Sequence, residues 1–192
     1  QIEMGLGLVA WRLRHLEEAR AYFELSRRIF GERGDRVRMA QTLGNLGLVY
    51  GELNEMDRQL TCYRQAIEIQ EELGDVHGLR FSYNNLGYLY YTQRDYSQSI
   101  QYYDRLRQLC KATRHQRMLC LAYAGLADAH LAQGDSDRAL EQATDAQLAG
   151  NELGPGREAG VAQRSLGDAE LKLGNFDRAR AAYERSLPML ES

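Results

Sequence analysis

A fixed 40-residue period constrains this chain more than any other feature. Leu-Gly recurs at Leu6-Gly7, Leu46-Gly47, Leu86-Gly87 and Leu166-Gly167, with Leu126-Ala127 in the remaining slot, so the marker falls at 7, 47, 87, 127 and 167. Equal steps without an insertion define a repeat array, in which each unit cannot bury its apolar face alone and stacks on its neighbours. The clearest copy runs from Phe81 to Tyr91, reading Phe-Ser-Tyr-Asn-Asn-Leu-Gly-Tyr-Leu-Tyr-Tyr.

Two helical patterns alternate within each unit. A first break follows the Gly by seven or eight residues, at Arg14-His15, Asn54-Glu55, Arg94-Asp95, Gly134-Asp135 and Gly174-Asn175. A second lies about 27 residues after it, at Gly34-Asp35, Gly74-Asp75, Arg114-His115 and Gly154-Pro155. Gly ending a helix followed by an Asp that caps the next accounts for the clearest of these. The pattern predicts ten helices, near 1–13, 16–31, 36–52, 56–72, 76–92, 96–112, 115–132, 136–152, 157–173 and 176–190, with no strand alternation anywhere. An all-α chain of ten antiparallel helices in five hairpins follows, with repeats at 1–34, 35–74, 75–114, 115–154 and 155–192 of one array.

Glycine inside a helix costs roughly 0.5–1 kcal/mol relative to Ala, so its return at one phase needs a compensating reason. Close helix approach supplies it. Twelve residues after each marker stand mostly small side chains, Ala19, Gln59, Ser99, Ala139 and Ala179, and sixteen after it stand Phe23, Tyr63, Tyr103, Ala143 and Tyr183. Small crossing points beside an aromatic wedge describe a tightly packed hairpin. The fourth copy, with Ala127, His130 and Ala143, is expected to pack more loosely.

Composition narrows the partner classes. With 44% hydrophobic residues the chain has ample apolar surface for a core, while a net charge of −3 gives no electrostatic footprint for nucleic acid or an anionic membrane. Cys62, Cys110 and Cys120 are odd in number and no secretory or spanning segment is visible, which points to a reduced, cytoplasmic setting. The chain begins at Gln1 in mid-pattern and is read as a piece of a longer protein, its terminal helices open to further repeats or to self-association. Pro188 is expected to end or kink the last helix.

The order Leu-Gly, Tyr, Ala, Phe/Tyr, Ala resembles the tetratricopeptide repeat in its form of about 40 residues, as in Pins-type adaptors, kinesin light chains and the helical arms of bacterial STAND-type regulators. The resemblance covers the whole chain but lacks the usual Pro after the second helix, where Gly31, Glu71, Lys111, Asn151 and Glu191 stand. It implies a right-handed superhelical solenoid whose first helices line a concave wall.

The columns of that wall follow from the phase. Three before each marker come Met4, Gly44, Asn84, Ala124 and Arg164; two before, Gly5, Asn45, Asn85, Gly125 and Ser165; one after, Leu8, Leu48, Tyr88, Asp128 and Asp168; four after, Trp11, Gly51, Tyr91, Leu131 and Leu171. Asn offers both donor and acceptor to an extended backbone, and Tyr adds rigid contact area with a polar tip. In the resembling adaptors an Asn at the place of Asn45 and Asn85 helps to hold a peptide. The site is therefore expected at Asn84, Asn85, Tyr88 and Tyr91, extended one way by Phe81, Asn45 and Trp11 and the other by Arg164, Asp128 and Asp168. Its far end reads as acidic, suited to a Lys- or Arg-bearing ligand. The carboxylate clamp of chaperone-tail binders is not reproduced, because Arg164 is the lone cation in the columns.

Other strings carry less. Gly5-Leu6-Gly7-Leu8-Val9-Ala10 resembles a dinucleotide fingerprint without the preceding strand, and Arg33-Gly34-Asp35 is a helix stop and restart. Cys110, His115 and Cys120 lack a fourth zinc ligand, and His130 stands where Tyr50 and Tyr90 pack. No catalytic, cofactor or metal residues are assigned. The expectation is a non-enzymatic module for a protein or peptide partner, with the ligand-sensing arm of a larger STAND-type or transcriptional regulator as the alternative.

Overall fold

The computed structural model describes residues 2–191, and among these every regular element is helical. The ten helices are α1 (Ile2–Arg12), α2 (Leu16–Glu32), α3 (Arg36–Glu52), α4 (Met56–Leu73), α5 (Val76–Thr92), α6 (Tyr96–Thr113), α7 (Gln116–Gln133), α8 (Ser136–Leu153), α9 (Arg157–Lys172) and α10 (Phe176–Leu190). Each boundary falls within a residue or two of its expected place. None of the described helices is long and apolar enough to cross a membrane.

The turns form as their chemistry dictates. At the α4 end Gly74 adopts φ 65°, a left-handed conformation that only Gly reaches without a Cβ penalty. Asp75 then accepts a bond from the Gly78 amide at 2.9 Å and opens α5. Asp35, Asp95 and Asp135 cap α3, α6 and α8 in the same way, each at 3.1 Å from the amide three residues on. His115 caps α7 through its ring, with Nδ1 accepting from the Met118 amide at 3.3 Å. Pro188 does not end its helix: α10 runs on to Leu190. Near the helix C-terminus the missing proline N–H removes only one bond of the ladder, and two more residues, Met189 and Leu190, stay helical.

The chain divides into two compact units, residues 1–82 and 83–192. In the first, α1 to α4 enclose a core that includes Phe23, Leu43, Leu46 and Val49. A Cβ added at Gly47 would run into the Tyr63 ring, so bare backbone at that point lets α4 lie against α3. In the second unit the same register brings the Tyr103 ring onto Gly87, and Ser99 Oγ donates to the Gly87 carbonyl at 2.8 Å. The hairpin of α7 and α8 is not loose. Ala139, Ala143 and Ala146 are wholly excluded from solvent and Ala127 nearly so. With alanine on both sides of the crossing, the backbones approach and fill the space that a ring fills elsewhere.

Candidate functional site

The second unit contains a cleft of about 780 Å³ bordered by the first helices of three successive hairpins, α5, α7 and α9. That volume lies in the range typical of ligand sites, roughly 300–1,000 Å³. From α5 come Asn84, Tyr88 and Tyr91. Tyr88 is 62% exposed, the most open aromatic of the second unit except Phe176, while Tyr91 is half-buried and its ring lies 5.9 Å from that of Tyr96. Burial, reinforced by the nearby Asp128 carboxylate, pushes the Tyr91 hydroxyl above its ordinary range, so it stays protonated and able to donate.

The floor is set by Tyr103 and Gly125. A Cβ at Gly125 would stand 2.5 Å from Tyr103 Cε1 and Cζ, so the ring of α6 occupies the place where another side chain would project. This explains why the ladder of Asn45 and Asn85 stops at Gly125: an Asn there would clash with Tyr103. Burial also drives the Tyr103 hydroxyl strongly upward, keeping the floor neutral.

The α9 wall carries the charge. Arg164 lies 2.8 Å from Asp128 and 3.9 Å from Asp168, and Ser165 Oγ donates to Asp128 at 2.8 Å. The Tyr183 hydroxyl donates to Asp168 at 2.7 Å. Burial raises the Asp128 carboxyl above its usual value, and Arg164 and Ser165 work against that rise. The two aspartates share one guanidinium, and each also accepts a hydroxyl hydrogen bond.

Six of the expected residues thus meet in one cleft: Asn84, Tyr88, Tyr91, Asp128, Arg164 and Asp168. Asn85 is half-buried on α5 and lies outside the lining. Trp11, Asn45 and Phe81 belong to the first unit and form no part of this cleft. Trp11 packs against the core of the first unit, and its indole N–H donates to Glu52 at 2.7 Å. Phe81 is half-exposed with its ring 5.1 Å from that of His77.

The far end is not acidic. Arg157 and Lys172 also line the cleft and, with Arg164, match Asp128, Asp168 and Glu158 in number. These cations were missed because the columns covered only the turns nearest the Leu-Gly marker. The helical period continues beyond them, placing Arg157, Val161, Arg164, Asp168 and Lys172 on one face of α9 at successive steps of three or four residues.

A second cleft, of about 950 Å³, lies in the first unit along α2 and α4, with Glu24, Arg28 and Glu68 among its lining. It holds none of the expected residues. The Tyr50 hydroxyl at 2.6 Å from Glu24 is raised to about 12, by burial first and by that carboxylate second. Among the described residues no group of three or more His, Cys, Asp or Glu is placed to hold a metal ion.

Paired helices with rings laid on glycine, and first helices sharing one cleft, define a helical-repeat scaffold. The tetratricopeptide repeat profile matches residues 1–72, 39–112, 78–147 and 117–192, and the chain belongs to that family, an interaction fold that is generally non-catalytic. Among solved structures, BtubC from P. vanneervenii is similar at 18% identity with a TM-score of 0.84, over 96% of this chain and 76% of that one. A Rap protein complexed with Competence and Sporulation Factor is similar at 17% identity and a TM-score of 0.74, over 97% and 52%. A STAND protein with a tetratricopeptide repeat sensor from Pyrococcus horikoshii is similar at 12% and 0.82, over 96% and 28%. At these identities the likeness is one of fold. The chain thus spans about half of the Rap protein and just over a quarter of the STAND protein. No curated protein matches.

Proposed function

We propose that this module receives an extended peptide segment of a partner protein in the cleft of the second unit, with Asn84, Tyr88 and Tyr91 as its centre and Asp128, Arg164 and Asp168 along the opposite wall. The observation that carries this reading is the cleft itself, where an open Tyr88, a half-buried Tyr91 and an amide face a charged helix across a floor shaped by Tyr103 and Gly125. Rigid aromatic area costs little conformational entropy on binding, and a donor–acceptor amide satisfies a backbone that would otherwise be left unpaired. The complexed state of the similar Rap protein supports a ligand-receiving role for this fold.

The test is affinity capture from the source cells with wild type and an Asn84→Ala/Tyr88→Ala variant as baits, followed by mass spectrometry. Partners captured by wild type should be lost from the variant while its far-ultraviolet circular dichroism stays the same. An unchanged set of partners with intact helicity would refute the assignment of the cleft.

A second reading, the sensing arm of a larger regulator, is favoured by the likeness to the STAND protein with its repeat sensor. A P-loop or a helix-turn-helix encoded in the same reading frame would support it, and a frame encoding repeats alone would oppose it.

A further inference from the structure

The charges of the cleft are not equivalent, because some are already spent. Arg164 is held by Asp128 and Asp168, and Asp168 also receives the Tyr183 hydroxyl. Glu158 is paired with Arg117 at 3.4 Å. Arg157 and Lys172 differ: both are exposed, both line the cleft, and among the described residues neither has an ion-pair partner. They stand at the first and last positions of α9, fifteen residues apart, which at 1.5 Å per residue separates them by about 22 Å along the cleft wall. Between them, two aspartates facing one guanidinium leave an excess of one negative charge. The wall therefore reads positive, negative, positive.

We propose that the cleft selects an extended partner segment bearing two acidic side chains about six or seven residues apart, with neutral or basic residues between them. The spacing follows from the rise of an extended chain, roughly 3.3 Å per residue, set against the distance from Arg157 to Lys172. An acidic residue at the centre would face the Asp128 and Asp168 pair and be repelled. An apolar or aromatic centre would meet Tyr88, Tyr91, Leu121 and Val161. This reverses the expectation of a basic ligand, because the carboxylates that suggested it are neutralised or outflanked. It rests on the groove reading above.

Selection of a phage-displayed random 12-mer library on the full chain tests it. Enriched peptides should carry Asp or Glu at positions six or seven apart. A fluorescent copy of one such peptide should bind about tenfold more weakly to Arg157→Glu and to Lys172→Glu, and should also lose affinity for Tyr91→Ala. Peptides that depend on Tyr91 but carry basic pairs, adjacent acids or no acids would overturn the charge pattern and leave the groove standing. Peptides indifferent to Tyr88→Ala and Tyr91→Ala, or no enrichment at all, would overturn the groove reading and this inference together.

Discussion

At Gly47 a single missing carbon decides how two helices meet. An added Cβ would penetrate the Tyr63 ring, which is 1% exposed and has no room to retreat. Overpacking of this kind typically costs about 1–3 kcal/mol, more than the roughly 0.5–1 kcal/mol that Ala gains over Gly in a helix. Gly44, one turn earlier on α3, has nothing within 4 Å of its virtual Cβ. Urea denaturation should therefore lower the midpoint for Gly47→Ala and raise it for Gly44→Ala, so that the same substitution three residues apart changes sign. Residue type alone does not show this contrast, since both are helical glycines. Only the phase, with Gly47 on the marker and Gly44 three before it, distinguishes them.

The elements follow from short-range chemistry, which is why their bounds were legible. Turn after turn places a residue at positive φ, and Gly fills it at Gly34, Gly74, Gly134, Gly154 and Gly174. Where Arg stands instead, at Arg94 with φ 61°, the backbone takes the same conformation at the expense of its Cβ. Arg94→Gly should stabilise the protein by about 0.5–1 kcal/mol, read as a higher denaturation midpoint with an unchanged slope. An unchanged or lower midpoint would show that the Arg94 side chain contributes more than its backbone strain costs. The same locality misled in the fourth hairpin. Alanine at Ala127 and Ala143 looked like missing bulk, yet small side chains let α7 and α8 close upon each other.

Across the whole chain, repeat architecture confines each perturbation to its surroundings, because a hairpin meets only its neighbours. Native-state hydrogen exchange of Gly47→Ala should show protection falling more in residues 1–82 than in 83–192, since opening is governed by local stability. A uniform loss would mean that the chain unfolds as one cooperative block. By itself the sequence determined the period, the ten helices, the capping turns and the ring laid on glycine, because each depends on residues close together along the chain or repeated at one phase. It also placed Asn84, Tyr88 and Tyr91 on the cleft side of α5. The tertiary structure alone decided which charges stay available. Whether Asp128 attracts a cation depends on Arg164 reaching it from another helix, and whether Lys172 is free depends on where Asp168 turns its carboxylate. Those are distances between elements, and a one-dimensional pattern does not contain them.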